Sequence, residues 1–193
     1  MFILKSMAVG FVLMTLLINK GVFVLLDALR ILKEKGYLFN CQYVGGETAE
    51  INAVQFSEEV DKRNLNDRVA YVGRKIGEEK EFFFRQADVF VFPTYYYNEC
   101  FPLVILEAME YKLPVISTNE GGIPDMVKDG ENGLICEKQN PVSLADCMAE
   151  LLDDEELRVK MGNAGYEKFC REFTLDQFEN RMRDILNQNL FSS

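Results

Sequence analysis

The sequence has no histidine. That excludes an imidazole base, a Ser–His pair and a histidine metal ligand from any chemistry the chain performs by itself. Positive charge is scarce: 21 Lys and Arg face 31 Asp and Glu, for a formal net charge of −10. Non-specific nucleic-acid binding depends on phosphate neutralisation by basic side chains, so nucleic acid is not expected as a partner. A single phosphate ligand stays compatible, because helix amides with one or two nearby bases can hold it. Paired cysteines are missing as well. The five present (Cys41, Cys100, Cys136, Cys147 and Cys170) are odd in number, scattered and without a CxxC pair. They read as reduced thiols of a cytosolic protein, most of them acting as small apolar residues. No linker rich in Pro, Gly or Ser, no internal repeat and no low-complexity segment divides the chain.

The N-terminal run MFILKSMAVGFVLMTLLI lacks the basic region and cleavage site of a signal peptide. It contains Lys5 and is shorter than the about twenty apolar residues of a membrane helix. A buried first strand over Phe11–Leu17, after a leader at residues 1–10, is preferred to a membrane segment.

What is present is a rhythm. At 193 residues and 48% hydrophobic content, the chain can bury the core of one domain, expected over residues 11–193. Val22, Leu25, Leu26, Leu29 and Leu32 recur at helical spacing, and Gly36 closes that helix. Strands are expected at Leu38–Val44, Val69–Val72, Asp88–Pro93, Pro114–Ser117 and Gly133–Cys136. Helices are expected at Glu50–Arg63, Glu78–Ala87, Pro102–Tyr111, from Pro124, and at Val142–Leu152, Glu155–Arg171 and Leu175–Leu190. The fully apolar DVFVFP suits a strand buried on both faces of a parallel sheet. Alternating strands and helices imply right-handed crossovers and a Rossmann-like, doubly wound, mostly parallel α/β sheet of about six strands with C-terminal helices.

Ligands bind such sheets beyond the carboxyl ends of the strands, where loops lead into helices. Four loops qualify: Ile18–Gly21, Gly73–Gly77, Thr94–Pro102 and Thr118–Pro124. In the third, Pro102 suits the first helical position, forcing Phe101 extended and leaving the amides of Leu103 and Val104 at the positive end of a helix. Glu99 precedes that end, and Glu107 follows in the second turn on the side of Leu103 and Val104. From residues alone, three readings stand: two solvated charges, a carboxylate at the rim of a binding site accepting from a diol, or a glycosidase-like pair roughly 5 to 9.5 Å apart, for which no sugar cleft is evident unless Tyr95–Tyr97 supply one. Lys20 before Gly21 can reach a phosphate over the sheet or simply be solvated, and Arg74–Lys75 after Gly73 has the same standing. Gly121–Gly122 before a Pro-started helix offers a second amide-lined corner, or an ordinary turn.

The order of these features resembles the C-terminal half of retaining glycosyltransferases of family 4. It is carried by Lys20–Gly21, VGG at 44–46, YVG at 71–73, DVFVFPT, NECFPLVILEAM, LPVIST, EGGIPDMV, DGENGLI, MGNAGYEKF and a final FT. The match runs from about Phe11 to Leu190, and Glu99–x7–Glu107 followed by GGIP is its most specific part. The resemblance implies a GT-B hexosyltransferase whose Rossmann-like domain holds a UDP- or GDP-linked sugar, with no metal and no cofactor beyond that donor. It implies that Glu107 binds ribose, Glu99 binds the transferred sugar and Lys20 neutralises the diphosphate. The loop Cys100, Phe101, Pro102, Leu103 and Val104 would hold sugar and diphosphate, beside Gly121 and Gly122, with Gly73 and Arg74 near the base. Catalysis is assigned to Glu99 and Lys20, by same-face attack that needs no covalent nucleophile.

A complete enzyme of this kind is expected in the cytoplasm, peripheral to the inner face of the membrane, in bacterial surface polysaccharide synthesis with a saccharide or lipid-linked acceptor. Three departures stand out. TLLINKG lacks the arginine that many members carry before the Lys–Gly pair, and Cys100 stands where many have glycine. The N-terminal acceptor-binding domain has no counterpart in this sequence, so the isolated chain is expected to be inactive. A GT-B nucleotide-sugar epimerase and a noncatalytic nucleotide-sugar or protein-binding module are the alternatives.

Overall fold

A computed structural model describes residues 8–13 and 15–190. Six strands form one parallel sheet: β1 (Ala8–Leu13), β2 (Phe39–Val44), β3 (Val69–Gly73), β4 (Val89–Phe92), β5 (Val115–Ser117) and β6 (Gly133–Ile135), in the order β3-β2-β1-β4-β5-β6. The chain winds outward from β1 to β3, crosses back, and winds outward again from β4 to β6. The direction of winding therefore reverses between β1 and β4, and loops on either side of that boundary leave a crevice between them.

Each strand hands over to a helix: α1 (Val22–Glu34), α2 (Ala53–Lys62), α3 (Gly77–Gln86), α4 (Leu103–Glu110) and the single-turn α5 (Ile123–Met126). Three more follow, α6 (Pro141–Asp153), α7 (Glu155–Glu172) and α8 (Leu175–Leu190). The apolar stripe of α1 is fully buried at Val22, Leu25, Leu26, Leu29 and Leu32, as its periodicity requires. All four residues of β4 are buried, which makes it the interior strand that DVFVFP describes. Side-chain caps set several helix starts. Asn52 and Gln55 form a reciprocal capping box on α2, Asn140 caps α6 and Asp154 caps α7. Helix α6 settles beside α1, and α7 beside α4.

Three expectations are corrected. The first strand is Ala8–Leu13 rather than Phe11–Leu17, so Ala8–Gly10 pair with Phe39–Cys41 instead of belonging to a leader. The apolar run outlasts the strand because Leu16, in the following turn, is itself fully buried and donates its N–H to Gly46 O at 2.9 Å. Hydrophobicity alone cannot separate a buried strand from a buried turn. The rest of the expected leader, residues 1–7, lies outside the described residues. The second correction concerns Pro102, which is the N-cap of α4 with extended backbone (φ −73°, ψ 102°) rather than its first helical residue. The third concerns α2, which starts after Asn52. Glu50 lies ahead of it and its carboxylate accepts the N–H of Ile18 at 3.2 Å. Among the described residues no helix is long and apolar enough to cross a membrane.

Candidate functional site

The crevice floor is a set of short-range ties between the loops after β1, β4 and β5. Tyr95 N–H donates to Asn19 O at 2.8 Å, and Thr118 Oγ1 donates to Thr94 O at 2.5 Å. Ser117 Oγ donates to Phe92 O at 2.7 Å. Thr94, Ser117 and Thr118 are buried, and the Ser117 and Thr118 hydroxyls spend their protons on backbone carbonyls of the β4 segment. Gly21 adopts φ +85°, and a Cβ there would stand 2.2 Å from Pro93 O. Glycine is what lets the β1 loop approach the β4 loop this closely.

Above the floor, Lys20 and Glu99 meet although they lie far apart in sequence. The Lys20 ammonium donates to Glu99 Oε2 in an ion pair whose side chains are only 17% and 10% exposed. Thr94 Oγ1 lies 3.4 Å from the same oxygen. The ammonium also sits over the ring of Tyr96, 4.8 Å from its centre, and 5.4 Å from that of Phe92. A turn closed by Glu99 N–H to Tyr96 O, 2.8 Å, fixes the glutamate backbone. One Glu99 oxygen is thus held.

Helix α4 rises beside this pair. Ile105 N–H donates to Pro102 O at 3.0 Å, and the amides of Leu103 and Val104 stand ahead of it at the positive end of the helix. Leu103 is 66% exposed and Phe101 43% exposed, with Phe101 edge-on to Phe173 at 5.8 Å. Cys100 is exposed beside Glu99. In the second turn of α4, Glu107 Oε1 accepts a hydrogen bond from Lys80 Nζ at 2.7 Å. The carboxylate is half-buried.

Gly121 and Gly122 serve mainly to bring backbones together. A Cβ on Gly121 (φ +51°) would fall 1.5 Å from Glu99 O, and one on Gly122 would fall 2.3 Å from Cys100 O. Gly122 N–H donates to Cys100 O at 2.9 Å, so that amide is spent within the protein rather than facing the crevice. Gly73 ends the edge strand β3, two strands away from β1, and Arg74, just after it, is exposed. The fold joins Lys20 to Glu99 between the β1 and β4 loops just ahead of α4, ties Glu107 of the second α4 turn to Lys80, and leaves Gly73 and Arg74 at the outer edge strand.

Three contributors were not singled out from the sequence. Thr94, directly after the buried strand, is the kind of residue that its position at a carboxyl edge could have flagged. Tyr96 is one of three adjacent tyrosines, and no spacing distinguishes it from its neighbours. Lys80 carries no local signal at all. Among the described residues no group of three or more Asp, Glu or Cys could hold a metal ion. Burial, and then the charge of Glu50, raise the Tyr95 hydroxyl above its ordinary value, so it stays a neutral donor beside the β1 loop.

Comparison with known proteins places this geometry. The family model described as glycosyl transferases group 1 matches residues 8–168. An uncharacterised glycosyltransferase of Methanocaldococcus jannaschii is 34% identical over 170 residues, covering 88% of this chain and 45% of the relative. A capsular polysaccharide biosynthesis glycosyltransferase of Staphylococcus aureus is 30% identical over 175 residues, covering 89% of this chain and 44% of the relative. The chain therefore spans about half the length of these relatives. Among solved structures, sucrose-phosphate synthase of Thermosynechococcus elongatus superposes with a TM-score of 0.85 at 26% identity, over 99% of this chain and 47% of that one. The Anabaena protein HepE, solved with UDP and glucose, gives 0.84 at 18% identity over 94% and 48% of the two chains, a likeness of fold. By its family match, its relatives and its fold, the chain belongs to the glycosyl transferases group 1 family.

Proposed function

We propose that the chain is the nucleotide-sugar-binding half of a retaining hexosyltransferase. The observation that carries this is the part-buried Lys20–Glu99 pair at the β1/β4 reversal, under the amide-bearing head of α4. A diphosphate at that head gains from the positive helix end. Lys20 beside it neutralises the charge that grows on the leaving phosphate as the bond to the sugar breaks. The other oxygen of Glu99 accepts from a sugar hydroxyl, and Glu107 accepts from the ribose diol. Lys20 already offsets the charge on Glu99, which weakens it as a nucleophile and suits same-face attack directed by the leaving phosphate. Gly73 and Arg74, at the outer side, are assigned to the base.

The assignment of a saccharide or lipid-linked acceptor in surface polysaccharide synthesis draws support from the similarity to the capsular polysaccharide enzyme. Acceptor contacts would come from a further domain, with the whole enzyme cytoplasmic and peripheral to the membrane. Diphosphate charge is met here by Lys20 and helix amides, so the reaction needs no metal in this scheme.

Calorimetry against UDP- and GDP-linked sugars tests the proposal. One of these donors should bind, and Glu107→Ala should weaken it at least about tenfold, the worth of a charge-assisted hydrogen bond. Unchanged binding in that variant would remove the site assignment. No binding of any nucleotide sugar would leave an interaction module instead. Assayed alone, the chain should transfer no sugar, and turnover by it would refute the division of labour.

A further inference from the structure

We infer that Lys80 is a positioning residue that holds the Glu107 carboxylate ready for the ribose diol. This rests on the proposed function, since it concerns the ligand assigned to Glu107. Lys80 lies one turn into α3, and its ammonium donates to Glu107 Oε1 at 2.7 Å across the gap between α3 and α4. The other ion pairs of this region, Lys75–Glu79 and Arg85–Glu81, are local i,i+4 contacts. Glu78 and Glu79 suit the positive end of α3, whereas a lysine there is electrostatically opposed. Glu107 supplies its countercharge.

The two helices are held together without this pair. Phe84 of α3 stacks on Tyr111, just past the end of α4, with ring centres 5.2 Å apart and planes 9° from parallel. Lys80 lies four residues before Phe84, and Glu107 four before Tyr111, so each pair shares a helix face. The aromatic stack sets the spacing at one end of the contact, and the ion pair meets at the end nearer the crevice. With both side chains about one-third exposed, at 27% and 34%, the pair adds little to stability. Its consequence is local. A glutamate free to rotate must surrender that freedom to grip a diol, while one already tethered has surrendered it beforehand. The tether occupies one lone-pair direction of Oε1 and leaves Oε2, with the rest of Oε1, to accept two hydroxyls.

The test is calorimetry of UDP and GDP, each beside its 2′-deoxy form, with the unmodified chain and with Lys80→Met, Lys80→Arg, Glu107→Gln and the Lys80→Met/Glu107→Gln double variant. Thermal melting of each protein serves as the check on folding. The unmodified chain should prefer one ribonucleotide over its 2′-deoxy form by about tenfold. Lys80→Met should lower that preference at least threefold with an unchanged melting point, Lys80→Arg should restore it, and in the Glu107→Gln background Lys80→Met should add nothing. Two outcomes overturn the inference while sparing the donor site: a ribose preference that Lys80→Met leaves intact, or equal weakening of ribo and deoxy forms, which would mean that Lys80 touches phosphate or base directly. An unmodified chain that binds nucleotide without any ribose preference overturns it too. If the unmodified chain binds no nucleotide, the proposed function falls and this inference with it.

Discussion

Two lysine–glutamate pairs line the crevice, and they differ in nearly every respect that matters. Lys20–Glu99 joins the loops after β1 and β4, is largely out of water, and shares its surroundings with Thr94, Phe92 and Tyr96. Lys80–Glu107 joins two helices, is about one-third exposed, and stands one turn from the Phe84–Tyr111 stack. In the first, removing one partner strands a buried charge, so the pair is coupled to the integrity of the fold. In the second, water replaces the lost partner, so the pair can serve orientation with little structural consequence. Burial, rather than the chemistry of the pair, separates a contact the fold depends on from one the ligand depends on.

Several experiments would break or sharpen that contrast. The largest effect is expected from Lys20→Met, which should weaken nucleotide-sugar binding roughly 100-fold, the upper range for a charge-assisted hydrogen bond, as read by calorimetry. It should also lower stability by about 1–3 kcal/mol, because Glu99 stays buried without its partner. Next comes Gly121→Ala. Its φ of +51° and a Cβ 1.5 Å from Glu99 O together should cost about 2–3 kcal/mol and lower donor affinity by displacing Glu99. Gly36→Ala makes the control: φ is +85° but nothing lies within 4 Å of the added Cβ, so only about 1 kcal/mol of backbone strain is expected in denaturant unfolding.

An alkaline titration probes the buried thiols of the core. Burial pushes the Cys136 thiol up to about 12 and Cys147 up to about 11 from 9.0, and raises Cys41 further. Unfolded thiols release protons first, so stability is fully present below pH 9 and declines from there toward pH 11–12. Cys136→Ala should flatten that decline, and a melting point level from pH 9 to 11 would contradict it. The smallest change is expected from Lys80→Met in thermal unfolding, less than about 0.5 kcal/mol, against its marked effect on ribose preference. A large loss of stability there would erase the contrast between the pairs.

Much of the fold was legible because it is written in local periodicity. The stripe of α1 and the wholly apolar β4 each report burial through neighbours in sequence. Boundaries were less legible where burial continued past an element, as at Leu16. In the site, Glu99 and Glu107 could be singled out because Pro102 marks the helix start between them. Gly121–Gly122 was legible only as a turn or an amide-lined corner. A glycine pair signals close backbone approach, but whether to a ligand or to the Glu99–Cys100 backbone depends on a partner some twenty residues away.

By itself, then, the sequence determined the alternation of elements, the parallel sheet and the acid-framed head of α4, since each follows from short-range spacing of apolar, capping and turn residues. Only the tertiary structure decided that Lys20 neutralises Glu99 and that Lys80 grips Glu107. Those contacts span 79 and 27 residues. They exist because winding reverses between β1 and β4 and because α3 is stacked against α4, and no local pattern encodes which distant charge a side chain will meet.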